Sequence, residues 1–374
     1  MQYTVVGLHR DSPLVMARMS FLAKAACDTL GFVERWCSTY CNAGPGTAHS
    51  ARSNTWLYMI SLPEKDDISM KISIITPTYN RAYTLPFLYE SLAHQNGDFE
   101  WVVVDDGSTD ETVEVVMGLQ RKANFPIKYF RQQANMGPHV ARNRAVQESI
   151  GELVGLVDSD DTVLANALDL VWNAWKDIPA NRCENFAGVM GRCMTKDGAL
   201  GATIPNGLSC LDVSWRDGFY KYGFTEERTP FYRRDVLRCY PFPETPDLRF
   251  VVEGVLHREI GRRYLLRYLN EPIRFYRVNG FDGLSMRPFR QLAGGRRPFY
   301  LATLNEDIDY FSLAPIRFLR WAAQYSRSSL HLGVWPRRQL ADVRSIRSKL
   351  LALAGLPVGT ALYVGDRTRD FMSK

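Results

Sequence analysis

Between residues 71 and 176, short apolar runs alternate with helical patterns over brief loops, which restricts the chain to a narrow set of folds. Ile72–Thr76, Trp101–Val104, Ile127–Phe130 and Leu153–Val157 read as strands. Between them, Pro86–Gln95, a segment from Asp110, and Val140–Ile150 read as helices, and a further helix covers roughly Leu164–Lys176. Leu85, Leu88 and Leu92 share one helical face, and Ser108 and Thr109 stand where the second helix would be capped. The expected fold is α/β, a mostly parallel sheet covered by helices on both faces.

Two of these strands run into acid. Trp101-Val102-Val103-Val104 leads into Asp105-Asp106-Gly107-Ser108, and Leu153–Val157 leads into Asp158-Ser159-Asp160-Asp161. Carboxylates crowded at the ends of buried strands repel one another and lose hydration, so a cation or polar ligand is needed to compensate them. In open α/β sheets, ligands bind outside those carboxyl ends.

The first strand ends in Pro77-Thr78-Tyr79-Asn80, not in G-x-G-x-x-G, and no G-x-x-x-x-G-K-[ST] occurs. A Rossmann dinucleotide site and a P-loop are both excluded. Asp158 and Asp160, two residues apart in a turn, suit one Mg²⁺ or Mn²⁺ with substrate phosphates completing its shell. The competing reading is that Asp160 or Asp161 caps the following helix. An EF-hand would need Gly at Val163 and Glu at Asp169. A carboxylate of Asp105-Asp106 can accept from a base N–H or a ribose hydroxyl, and Tyr79 could stack on that base; the alternative is a turn that leads into a helix.

Taken in order, Ile74-Ile75-Thr76-Pro77-Thr78-Tyr79-Asn80-Arg81, Asp105-Asp106-Gly107-Ser108, Asn135-x-Gly137 with Ala141-Arg142-Asn143, and Asp158-Ser159-Asp160-Asp161 closely resemble glycosyltransferase family 2. Members are inverting nucleotide-sugar transferases of GT-A fold, and the resemblance covers about residues 71–280. It implies that Pro77, Tyr79, Asn80 and Asp106 surround the nucleoside, with Asp106 facing the base. Asp105 would support that loop or touch the nucleoside, and Arg142 would lie near the diphosphate or sugar. Asp158 and Asp160 would hold the divalent cation, with Asp160 the more direct ligand.

The family usually has a Glu-Asp pair at the start of a later helix, and its aspartate is often taken as the base. Here the stretch reads Phe250-Val251-Val252-Glu253-Gly254, so the second acid is missing. Glu253 is the candidate base and Asp247 the second choice. The structural alternative for Glu253 is an acid favoured by the helix dipole. His257, one turn on, could share its face, in a packing or acceptor-contact role.

Beyond residue 180 the alternation fades, with short strands expected at Phe186–Met190, Tyr264–Leu269 and Ile273–Tyr276, and a helix at Glu253–Arg263. From Arg287 to Lys374 fifteen Lys and Arg face six Asp and Glu, a net of +9 in a chain of net +6. Arg317, Arg320, Arg327, Arg337 and Arg338 alternate with Phe318, Trp321, Tyr325 and Trp335. Either a helix lies on an anionic membrane or it packs on the catalytic body. Nothing resembles a nucleic-acid-binding motif.

No uninterrupted apolar stretch is read as a membrane span, Leu14–Ala26 is not read as a signal peptide, and the seven cysteines form no C-x-x-C pair. The expectation is a cytoplasmic protein, peripheral on the inner face of the membrane. The domain reading has three parts. Residues 1–69 are an extension, disordered or a mis-assigned start with Met70 as the natural one. Residues 70–285 form the GT-A domain, and 286–374 a basic helical region. The implied activity is transfer from a nucleotide-sugar donor to a saccharide or polyprenyl-diphosphate-linked acceptor in cell-surface polysaccharide biosynthesis. The alternative is a catalytically weak nucleotide-sugar-binding or scaffold protein of the same fold.

Overall fold

The computed structural model describes residues 70–245, 248–277 and 287–372. The expectations for residues 1–69 and for Asp247 lie outside them. The strands are β1 (Ile72–Thr78), β2 (Phe99–Asp105), β3 (Ile127–Arg131), β4 (Leu153–Leu156), β5 (Thr162–Val163), β6 (Phe186–Thr195), β7 (Gly198–Ala199), β8 (Cys210–Ser214), β9 (Arg228–Arg233) and β10 (Leu265–Phe275). They form one sheet in the order β3-β2-β1-β4-β9-β6-β10-β5, with β7 on β6 and β8 on β10. β1, β2, β3, β4, β6 and β10 all run one way; β9 runs against β4 and β6. The sheet is therefore mixed and mostly parallel.

The helices α1 (Leu85–Ala93), α2 (Thr112–Lys122), α3 (Pro138–Glu148) and α4 (Ala167–Lys176) connect the first strands. Alternation along β2 shows how both sheet faces are filled. Trp101 and Val103 join the core with Leu88, Val116 and Val171, while Val102 and Val104 join the opposite core with Ala141, Ala145 and Tyr232.

Several local expectations need correction. The second helix starts at Thr112, and Ser108 does not cap it; Asp110 accepts from the Thr112 amide. Asp161 does not cap α4, because β5 intervenes and its carboxylate turns to Arg274 and the Arg277 amide. The strands expected at 264–269 and 273–276 are one strand, β10, with irregular register around Pro272. β9 was not expected, because it carries Pro230 and two arginines. Pro230 lies opposite Met190 of β6, but β4 pairs only with residues 231–233, so one side of β9 at Pro230 has no partner strand, the kind of position where a strand tolerates proline.

The later helices are α5 (Trp215–Tyr220), α6 (Arg234–Cys239), α7 (Gly254–Ile260), α8 (Phe289–Glu306), α9 (Pro315–His331), α10 (Pro336–Asp342) and α11 (Ile346–Met372). The C-terminal helices share a core of Leu304, Phe318, Ala322, Tyr325 and Leu351. They are tied to the sheet domain through Asp307, which is fully buried and takes Arg258, Arg216 and the Tyr220 hydroxyl. The aromatic face of α9 is packed: Phe318 and Tyr325 are core, Trp321 stacks on Phe219, and Arg327 pairs with Asp366. One helix, Ile346–Phe371, is long and apolar enough to cross a membrane by length and composition. That corrects the reading that no segment reaches this length, since its charges cluster at the two ends.

Candidate active site

The carboxyl ends of β1, β2 and β4 open into a cavity of about 710 Å³. Pro77, Tyr79, Asn80, Asp106, Arg142, Asp158, Asp160 and Glu253 all line it. Asp105 lies beneath. It is fully buried and accepts from the Ser108 amide and hydroxyl and from the Tyr129 hydroxyl at 2.8, 2.6 and 2.6 Å. Of the two expectations for it, the structure places Asp105 under the loop and away from the cavity.

Asn80 adopts φ 52°, a left-handed conformation that asparagine tolerates better than most residues. Its amide donates to Ser108 Oγ at 2.8 Å, and its Oδ1 accepts from the Thr109 amide at 2.8 Å. The loops after β1 and β2 are thereby laced together. Asp106 is almost fully buried and uses both oxygens on the next loop. Oδ1 accepts from the Met136 amide at 2.7 Å and Gln132 Nε2 at 2.9 Å; Oδ2 accepts from the Gly137 amide at 2.7 Å. Burial still raises its pKa above the ordinary carboxylate value. Gly137 is required here, because φ is +99° and a Cβ would lie 2.5 Å from the Arg249 carbonyl.

Arg142, on α3, joins the two halves of the site. Its Nη2 lies 2.6 Å from Asp158 Oδ1 and 2.6 Å from Glu253 Oε1. Burial opposes charge on the guanidinium, but Glu253 and Asp158 outweigh it and hold its pKa above the usual value. Burial likewise opposes charge on Asp158, yet Arg142 and Arg274 keep it below the ordinary range. For Asp160, burial and the charge of Asp158 outweigh the opposing pull of Arg81 and Arg274 and raise it. Among the described residues, no three His, Cys, Asp or Glu side chains group to hold a metal ion. The pair Asp158 and Asp160 still fits a divalent cation: a dication would relieve the repulsion that raises Asp160, and Mg²⁺ commonly takes only one or two protein carboxylates.

Glu253 precedes α7 without capping it through its side chain. One turn on, His257 Nε2 is 3.9 Å from Glu253 Oε2, and His257 Nδ1 is 2.7 Å from the Tyr232 hydroxyl. Burial lowers the His257 pKa to about 4, so the imidazole is neutral at pH 7. Tyr232, fully buried, is raised well above its ordinary value and stays a phenol.

Sequence reasoning missed Glu227 and Arg274. Arg274 is buried between Asp161 at 3.1 Å and Glu227 at 2.7 Å. Glu227 lines the cavity, and burial raises its pKa although Arg274 opposes this. Their contact arises from the antiparallel register that sets Arg274 opposite Val163, two residues past Asp161, and no local sequence pattern marks it. Arg249, also unforeseen, donates to the Asn135 carbonyl at 2.6 Å and lines the same cavity.

Comparison with known proteins agrees with this geometry. Residues 73–190 match the family described as Glycosyl transferase family 2. Over 220 residues the chain is 38% identical to GalNAc(5)-diNAcBac-PP-undecaprenol beta-1,3-glucosyltransferase of Campylobacter jejuni, a match covering 58% of this chain and 67% of that one. It is 41% identical over 97 residues to the poly(ribitol-phosphate) beta-N-acetylglucosaminyltransferase TarS of Staphylococcus aureus, covering 25% of this chain and 17% of TarS. The structure of S. aureus TarS residues 1–349 in complex with UDP-GlcNAc superposes with a TM-score of 0.52 at 23% identity, covering 80% of this chain and 92% of that one. That likeness is one of fold. A cavity at the ends of a mostly parallel sheet, the ordered acidic turns and the extent of the match to the Campylobacter enzyme lead to one assignment: this chain is a glycosyltransferase of family 2, with the GT-A fold.

Proposed function

We propose that the chain transfers a sugar, with inversion, from a nucleotide-sugar donor to a hydroxyl of a saccharide or polyprenyl-diphosphate-linked acceptor in cell-surface polysaccharide biosynthesis. The observation that carries this reading is the single guanidinium of Arg142, shared between Asp158 and Glu253. It spaces an acid from the donor end of the cavity against an acid from the acceptor end. Pro77, Tyr79 and Asn80 would bound the nucleoside, and Asp106 would fix the loop that closes over it. Asp158 and Asp160 would hold Mg²⁺ or Mn²⁺, which when bound neutralises charge on a departing diphosphate. Arg142 would steer the donor, while Glu253 would accept the proton of the attacking hydroxyl. General-base help of this kind is worth about 10²–10⁴ in rate. In an inverting displacement the acceptor oxygen attacks the anomeric carbon opposite the departing phosphate oxygen. The C–O bond to diphosphate breaks, and the hydroxyl proton goes to Glu253.

The domain reading becomes part of this proposal: residues 70–285 bind donor and acceptor, and 286–374 buttress the acceptor side. A cytoplasmic enzyme, peripheral at the membrane, suits a lipid-linked acceptor; the Campylobacter relative is named for one. The test is nucleotide release from UDP-, GDP- and dTDP-sugars with Mn²⁺ or Mg²⁺, with and without a polyprenyl-diphosphate-linked saccharide. Acceptor-stimulated release from one donor supports the reading, and no release from any donor overturns it.

A further inference from the structure

The last helix, α11, has two unlike faces. On one, Ser348, Leu351 and Ala352 are buried, and Gly355 and Gly359 come so close to α9 that a Cβ on either would lie 2.5 Å from its backbone. Asp366, on the same side, pairs with Arg327 and His331. The other face is an apolar ridge turned to solvent. Ile346 is 78% exposed, Leu350 63% and Phe371 81%, with Leu353, Ala361 and Val364 exposed between them. Their spacing of three, four or a few more residues places all six on one side of the helix.

No charged residue occurs from Leu350 to Gly365. Arg347 and Lys349 stand at one end of this uncharged length, Arg367 and Arg369 at the other, and none of the four makes an ion pair among the described residues. At 1.5 Å per residue the helix is about 40 Å long. From Leu351 to Asp366 it packs on α9, so it is built to lie along a surface and not to cross one.

We propose that the exposed ridge of α11 docks flat in the headgroup–acyl boundary of an anionic phospholipid leaflet. The apolar side chains enter the leaflet, and the flanking Arg and Lys extend to lipid phosphates. The region's net charge of +9 complements an anionic surface and repels a second copy of itself. This deepens the acceptor half of the proposed function, because a polyprenyl carrier resides in a bilayer. The docked helices also reach the site. On α8, a Cβ at Gly295 would lie 1.7 Å from the Phe250 carbonyl, so α8 rests on the segment that carries Glu253.

The experiment is flotation of the full chain with phosphatidylcholine vesicles, with and without phosphatidylglycerol. The wild-type chain is expected to float with the anionic vesicles. Leu350→Glu with Val364→Glu should weaken partition by about tenfold or more, and Arg347→Glu with Lys349→Glu should remove the preference for phosphatidylglycerol. Both pairs are solvent-exposed, and an unchanged melting temperature checks that they fold. Ridge variants that float like wild type, a wild-type chain that floats with neither vesicle, or a dimer that Leu350→Glu dissociates would each overturn the proposal. Glu253→Gln separates the two readings: it should float normally whatever becomes of sugar transfer.

Discussion

A Cβ placed on Gly254 would stand 2.8 Å from Cε2 of Phe299, closer than real Cβ atoms approach. Phe299 projects from α8 onto the start of α7, so the volume a second acid would use is taken by an aromatic ring. The departure from a Glu-Asp pair therefore has a packing cause, set by a residue of the C-terminal helices. It leaves Glu253 as the acid at this helix start that Arg142 holds.

Gly254→Asp should lower stability by about 1–3 kcal/mol, the usual cost of forcing atoms into a filled site. The penalty should shrink in a Phe299→Ala background, where the ring is gone. A double-mutant cycle on thermal or urea unfolding checks this. Additive effects would mean that Phe299 is not what excludes a side chain at position 254.

Glu253→Gln keeps the shape of the side chain and removes its capacity to take a proton. Transfer should fall about 10²–10⁴-fold with donor affinity little changed. Asp160→Ala should also lower transfer sharply, with the remaining activity less dependent on added Mn²⁺ or Mg²⁺. Steady-state kinetics with a metal titration distinguishes the two. Near-wild-type turnover of Glu253→Gln would move the base elsewhere, with Glu227 the next acid on the cavity wall.

Asp106 answers three donors from the loop that follows β3. Asp106→Ala should leave the Met136 and Gly137 amides without their acceptor, at about 1–3 kcal/mol for each buried group so exposed. Donor affinity should drop with it, because that loop lines the cavity at Asn135 and Pro138. Asp106→Asn should retain more stability than Asp106→Ala, since one oxygen still accepts. Calorimetric titration with nucleotide alongside thermal melts reads both effects.

The parts of the fold that sequence conveyed are those where one local pattern suffices. β1, β2 and β4 are largely apolar runs buried on both faces, and the turns after them carry residues whose chemistry is visible without partners. What was not legible depends on residues distant in the chain. Arg274 meets Asp161 only through the antiparallel β5–β10 pairing, and β9 hides behind Pro230 and its arginines. In α9 the Arg–aromatic alternation suited a membrane face and a packed face equally. Only the three-dimensional packing shows that Phe318 and Tyr325 point inward, and that the exposed apolar ridge belongs to α11.

His257 gives the site a pH signature. Burial lowers its folded-state pKa to about 4, against an ordinary value of 6.5. The unfolded chain therefore binds a proton below pH about 6.5 that the folded chain accepts only near pH 4. The contribution of neutral His257 to stability is complete above pH 6.5, declines as pH falls, and levels off below about 4. The full swing is on the order of 3–4 kcal/mol. Asp161 works in the opposite sense. Burial raises it to about 7 despite Arg274, so its protonation favours the folded state as pH falls through that value. The two must be separated by difference, and His257→Gln supplies it. Between pH 7 and 4 the wild-type melting temperature should fall relative to that of His257→Gln. Parallel curves would mean that the imidazole binds its proton equally well in the folded and unfolded chain.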